Sequence, residues 1–240
     1  MVAPLTTSVP RPIDEKGSTK LFGDGLPPEI GPFSFVPMSG MRELADLLQL
    51  HAGQTLVDLG CGRGGPGLWL AADSCCGLVG IDSSTVAITD ARCRRQLFPH
   101  ATAAFFVADV AATGLPADSA HAVVSVDVVQ LLDDPRALIV EAARVLRPGG
   151  RFVLTTWEGR QDAPARFPPN VGELLESTGL RVDVIAERPG WLERQLTIYE
   201  RAAAITAPDS AVDDLAHEGT RWAALHRKLR RVVASAQLPE

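Results

Sequence analysis

The chain is 240 residues long, 46% apolar and 22% charged, the make-up of a water-soluble protein with enough chain for a full core. A formal net charge of −6 opposes a nucleic-acid footprint, which is basic, and no run of about 20 apolar residues is present to cross a bilayer. Met1 to Pro12 has no apolar stretch after a basic start, so no secretory signal is read there and a cytoplasmic protein is expected. Four cysteines (Cys61, Cys75, Cys76 and Cys93) show no C-x-x-C spacing, which predicts reduced thiols and no metal site.

Residues 1–20 hold prolines and hydroxyl side chains with few apolar anchors, and a flexible N-terminus is expected. Residues 21–240 read as a single domain. Leu21 to Phe35 is rich in Gly and Pro yet carries Phe22, Phe33 and Phe35, so it reads as a loop that packs down on something. Either it is a lid over a pocket, with Asp24 or Glu29 facing a ligand and Phe22 and Phe33 as walls, or it is a strap with both acids in water. Apolar residues at Met41, Leu44, Ala45, Leu47 and Leu48 then predict a helix over 39–50, with Ser39 as its cap.

The organising stretch is Thr55-Leu56-Val57-Asp58-Leu59-Gly60-Cys61-Gly62-Arg63-Gly64-Gly65-Pro66-Gly67, a buried strand, a glycine turn and a helix start. Glycines at alternate positions let a ligand approach the backbone, and Pro66 suits the first turn of a helix. Such a turn offers backbone N–H groups and a positive helix end. Gly60, Gly62 and Gly65 also fit the dinucleotide pattern G-x-G-x-x-G. Asp58 separates the two ligand classes: a carboxylate repels a pyrophosphate and attracts a ligand bearing an ammonium and a sulfonium.

Val57 to Gly64 resembles the first motif of class I S-adenosylmethionine (SAM)-dependent methyltransferases of the small-molecule, UbiE-like type. The resemblance implies that Asp58, Gly60, Cys61, Gly62, Arg63 and Gly64 hold SAM. Gly77 to Asp82 is the second strand, and Asp82 at its end suits the two ribose hydroxyls, because a carboxylate can accept from both. Its competing role is to cap the helix Thr85 to Gln96; Ser83 or Ser84 serves for that, and Ser83 is counted with the cofactor set. Ala104 to Val110 is the third strand, and the resemblance places Asp109, with Val110, at the adenine amino group.

Ala122 to Leu132 is the fourth strand and its exit. Many small-molecule methyltransferases carry a His pair here, whereas this chain has Gln130 and Leu131. Gln130 can orient a substrate but has no proton to exchange as a base. Asp127 is the nearest acid, for the methionine end of the cofactor or for the substrate, and His121 at the opposite strand end reads as a surface residue. After an amphipathic helix over 135–146, Leu146-Arg147-Pro148-Gly149-Gly150 before the fifth strand, Arg151 to Thr156, is a second match to the methyltransferase pattern. Trp157 and Glu158 emerge at the edge of Asp82 and Asp127, Trp157 as pocket wall or as core filler. Beyond a polar loop over 159–170 follow a helix over 171–178, a strand over 180–187, and a connection whose Trp191 and Tyr199 are candidate substrate contacts. A helix over 213–228 and a closing strand over 231–236 complete the pattern.

The expected architecture is α/β: a Rossmann-like, doubly wound seven-stranded sheet with helices on both faces. An N-terminal lid and first helix (21–50), a SAM-binding core (51–158) and substrate-side helices with the last strands (159–240) make up the domain. The resemblance implies a seventh strand inserted antiparallel. The expected activity is methyl transfer from SAM, leaving S-adenosylhomocysteine, to a small molecule of bacterial secondary metabolism, by a monomer or homodimer. Transfer to N, O or C is left open. Candidate catalytic side chains are Gln130, Asp24 and Glu158. The missing His pair keeps open a non-methylating reaction on the same fold, such as a cyclisation or elimination in natural-product biosynthesis. Asp58 and the 146–150 turn weigh against a NAD-dependent dehydrogenase, and a non-catalytic binding module is the remaining reading.

Overall fold

Alternation along β1 (Thr55–Leu59) sends Leu56 into one apolar layer and Val57 and Leu59 into the other. The same division runs through β2 (Gly77–Asp82), β4 (Ala120–Val126) and β5 (Leu146–Gly159), with Leu78, Ala122, Val124 and Val153 on the first face and Ile81, Val123, Phe152 and Leu154 on the second. Strands buried on both faces are what helices on both sides of a parallel sheet require. The computed structural model describes residues 29–31, 35–165, 167–205, 210–223 and 225–240. The expected flexibility of 1–20 and the lid side chains Phe22, Asp24 and Phe33 lie outside the described residues.

Completing the sheet are β3 (Thr102–Val107), β6 (Arg181–Glu187) and β7 (Leu229–Gln237), and the strand order is β3-β2-β1-β4-β5-β7-β6. β7 runs antiparallel to both neighbours, while the pairings from β3 to β5 are all parallel. The order reverses between β1 and β4, and the crevice at such a switch point is where open α/β sheets bind ligands. Because β7 is reversed, its amino end reaches the same sheet edge as the carboxyl ends of β1, β2 and β4.

The first face is covered by α1 (Met38–Leu48), α2 (Gly65–Asp73) and α3 (Thr85–Arg94), through Met41, Leu44, Leu68, Leu70, Ile88 and Ala91. On the second lie α4 (Pro135–Val145) and α5 (Val171–Glu176), through Leu138, Ile139, Val145, Val171 and Leu175. Between β6 and β7 the chain inserts α6 (Pro189–Ala204) and α7 (Ser210–Trp222), whose apolar residues form a third cluster with Trp157 and Phe167.

Several boundaries differ from the sequence reading. Ser39 is not the cap of α1: Pro37 holds that position without a side-chain bond, and Ser39 lies inside the helix. β3 stops at Val107, so Asp109 stands in the following turn, where its Oδ1 accepts the Ala111 N–H at 2.8 Å. The exit of β4 is a short 3-10 turn, Val129–Leu131, and the last helix ends at Trp222 with a separate 3-10 turn at His226–Lys228. His121 is half-buried: its Nδ1 accepts the Thr55 N–H at 3.0 Å and its Nε2 lies 3.1 Å from Arg147 Nη1.

Candidate cofactor and acceptor site

The turn after β1 depends on left-handed backbone. Gly60, Gly62 and Gly64 have φ of +77°, +51° and +78°, a region side chains disfavour. A Cβ on Gly60 would collide with Val128 at the exit of β4, and one on Gly64 would lie 3.0 Å from Phe105 and Ala91. A Cβ on Gly62 would meet nothing within 4 Å. Two of these glycines answer to packing, and the middle one faces open space.

Beneath the turn lies Asp58, 2% exposed. Gly67 at the start of α2 comes so close that a Cβ there would sit 2.5 Å from Asp58 Oδ2, and its N–H donates to the carboxyl group. Oδ2 has no hydrogen-bond partner among the described residues. Burial first, and then the Asp82 charge, push Asp58 up to about 7. A buried carboxyl with an unanswered oxygen is costly unless a donor or cation arrives to meet it. Beside it, the Cys61 thiol is buried and its pKa raised by desolvation and the two aspartates, so it is no nucleophile.

Asp82 ends β2 facing the same turn. Its Oδ2 accepts the Gly62 N–H at 2.9 Å and its Oδ1 the Ser84 N–H at 2.8 Å. Each oxygen keeps a second lone pair for a hydroxyl donor. The capping of α3 falls to Ser84, whose Oγ accepts the Ala87 N–H at 3.2 Å. Arg63 in the turn pairs with Asp90 of α3 at 3.3 Å. Asp109 is exposed and Val110 buried, in the loop that follows the edge strand. Glu29 is exposed, and its carbonyl accepts from Arg94 Nη1 at 2.7 Å.

At the exit of β4 the geometry separates the acids. Asp127, with φ of +58°, accepts Arg231 Nη2 on both oxygens at 2.5 and 2.6 Å and the Thr155 hydroxyl at 2.9 Å. Arg231, from the amino end of β7, is 1% exposed; its Nη1 donates to Gln195 at 3.1 Å and its guanidinium carbon lies 5.2 Å from the Trp157 ring centroid and 5.9 Å from that of Trp191. Gln130 faces away: it accepts the Thr156 hydroxyl at 2.9 Å and donates to the Asp127 carbonyl at 2.8 Å. Glu158, next to Trp157 on the strand, points to the opposite face of β5. There it is sealed by Arg230 and by the Val171 N–H at 2.8 Å, which starts α5.

Over this edge α6 and α7 close an aromatic layer. Trp157 stacks on Trp222 at 5.4 Å, Phe167 meets Trp222 edge-on at 5.8 Å, and Phe35 meets Tyr199 at 5.1 Å. The Tyr199 hydroxyl accepts from Gln195 at 2.7 Å, and burial raises its pKa. Trp157, Trp191 and Tyr199, expected as substrate contacts, therefore lie in one neighbourhood. Sequence reading missed Arg231, Gln195 and Trp222. For Arg231 a signal existed: two consecutive arginines at the start of an apolar strand cannot both face water, since neighbours on a strand point to opposite faces. One surface depression, lined by Gly53, Thr55, Cys75, Gly77 and His100, lies at the amino ends of the strands, away from this edge. No group of three or more His, Cys, Asp or Glu arranged for a metal occurs among the described residues.

A family model described as a methyltransferase domain matches residues 57–154. The 2-methyl-6-phytyl-1,4-hydroquinone methyltransferase of Synechocystis is 34% identical over 140 residues, 57% of this chain and 43% of that protein. The 27-O-demethylrifamycin SV methyltransferase of Amycolatopsis mediterranei is 34% identical over 112 residues, 46% of this chain and 41% of that one. The matches thus span less than half of each of these two relatives. Among solved structures, the [4+2]-cyclase SpnF superposes with a TM-score of 0.72 at 22% identity, covering 83% of this chain and 79% of that one.

Proposed function

The chain belongs to the class I SAM-dependent methyltransferases, and from that premise we propose that it methylates a largely apolar small molecule in bacterial secondary metabolism. The cofactor is SAM. The observation that carries the reading is Asp58, a buried carboxyl group with one oxygen unanswered beneath an open glycine turn. A cationic ligand answers it and an anionic one does not. Asp58 then faces the charged methionine end, Asp82 takes the ribose hydroxyls with its remaining lone pairs, and Asp109 accepts from the adenine amino group. Bound there, SAM supplies an electrophilic methyl group on a sulfonium.

The acceptor side is supported by the aromatic layer around Trp157, Trp191 and Tyr199, which suits a flat or apolar body. The names of the hydroquinone and rifamycin relatives are in keeping with such an acceptor. Neither Asp127 at the β4 exit nor Glu158 on β5 is available as a base, because Asp127 is held by Arg231 and Glu158 by Arg230 on the other face. The acceptor therefore brings its own reactive nucleophile, and the protein contributes position. With Gln130 and Leu131 where a His pair often stands, and with Asp127 and Glu158 both held by arginines, a non-methylating step on this fold is the second reading.

Titration calorimetry with SAM, S-adenosylhomocysteine and NAD tests the cofactor, and binding of NAD in place of SAM would remove the proposal. Mass spectrometry of products from apolar phenolic acceptors is expected to show the gain of one methylene. A SAM-requiring conversion without that gain would favour the second reading.

A further inference from the structure

Arg94, the last residue of α3, bridges two carbonyls that are far apart in sequence. Its Nε donates to Arg63 O in the glycine turn at 3.1 Å and its Nη1 to Glu29 O at 2.7 Å. One helical turn earlier, Asp90 holds the side chain of the same Arg63 at 3.3 Å. Positions four apart share a helix face, so α3 grips Arg63 twice, by side chain and by backbone.

The 29–31 segment is fitted to this guanidinium. Gly31 has φ of +65°, and a Cβ built on it would lie 2.8 Å from Arg94 Nη1 and 3.0 Å from Nη2. Ile30 is fully buried, and its carbonyl oxygen rests against Gly65, where any side chain would strike it. The segment therefore packs on Gly65 at the start of α2, three residues along the chain from Gly62, whose outward side is open and whose N–H leans on Asp82. Burial and the neighbouring Arg63 cation both oppose a charge at Arg94, and the two carbonyls answer that cost.

We propose that Arg94 is a positioning residue for the cofactor: it clasps residues 29–31 against the glycine turn, and this clasp slows exchange of SAM and S-adenosylhomocysteine. The inference rests on reading that turn as the cofactor cradle. Both of these hydrogen bonds run to backbone carbonyls, so its role is indirect. It acts through the Arg63 backbone and through the wall formed by Glu29 to Gly31.

The test is the dissociation rate of S-adenosylhomocysteine from the full chain, measured by stopped-flow displacement, with hydrogen exchange at residues 29–31 beside it. Arg94→Met keeps the aliphatic stem and loses both carbonyl bonds; Arg94→Lys keeps the charge and can hold one. Gly31→Ala leaves Arg94 intact and drives a methyl group into the guanidinium. Dissociation is expected to quicken roughly tenfold in Arg94→Met and Gly31→Ala and by less in Arg94→Lys, the scale of losing a charged hydrogen bond. Exchange at 29–31 in the loaded protein rises in the same order. If Arg94→Met fails to fold, Gly31→Ala carries the test. Rates within about twofold of the parent in the folded variants, even with a lowered melting temperature, would make Arg94 merely structural and overturn the clasp. A parent chain that does not bind S-adenosylhomocysteine at all would overturn the cofactor reading on which the clasp stands.

Discussion

A carboxyl group sealed under a backbone turn is held back from ionising. Asp58 moves from an ordinary 3.8 to about 7, so well below pH 3.8 the folded and unfolded chains both carry the proton and nothing is gained or lost. As pH rises from about 4 to about 7 the unfolded chain releases that proton first, and stability falls by up to about 1.4 kcal/mol per pH unit before levelling off. Urea unfolding of the cofactor-free protein across this window is expected to show the fall, and Asp58→Asn is expected to flatten it while weakening SAM binding. Because a cationic ligand favours the ionised form, calorimetry near pH 7 in buffers of different ionisation enthalpy is expected to detect proton release on binding. Asp82 gives a simpler expectation. Its replacement by Ala removes the proposed acceptors for the ribose and frees the Gly62 N–H, and is expected to weaken SAM by about 1–3 kcal/mol in the same titration.

Elements divide the site into a half written in local sequence and a half that is not. The glycine turn and the acids ending β1 and β2 are legible because a strand of period two followed by alternate glycines is a signal contained in a dozen residues. Within it, Gly62→Ala is expected to cost only the strain of its positive φ, about 1–2 kcal/mol, yet lose SAM, since its Cβ enters open space, whereas Gly60→Ala carries the same strain and a collision with Val128 besides. The acceptor half is assembled by β7, whose partners lie more than a hundred residues earlier at Asp127 and 72 earlier at Glu158. Spacing along the chain carries no trace of such pairs. Glu158 could have been turned away from Trp157 by strand period alone, but its partner Arg230 could not have been found. Arg231→Met is expected to cost about 3–5 kcal/mol by stranding Asp127, and the double variant with Asp127→Asn to recover part of it in a mutant cycle.

For the whole molecule, a doubly wound sheet follows from the alternation of elements and an antiparallel seventh strand from the family resemblance, and the structure has such a sheet with β7 reversed. The covering layer of α6 and α7 was read only as a connection and a late helix, because its apolar stripes fit any core. Ligand linkage gives a test at this scale: S-adenosylhomocysteine at about one hundred times its Kd adds about 2.7 kcal/mol, which for a chain of this size raises Tm by roughly 5–10 °C.

The reversed strand also bears on how the molecule is made. Leu229 to Gln237 is threaded between β5 and β6, and its paired arginines bolt the exit of β4 on one side and the start of α5 on the other. A ribosome will have released the glycine turn and Asp82, proposed to face the cofactor, well before Arg230 and Arg231 leave its tunnel. Until then β5 and β6 have an unfilled slot between them and Asp127 lacks its counter-charge. Nascent chains arrested before Leu229 should accordingly remain open to proteases around Trp157, and the addition of Leu229 to Gln237 should close that edge.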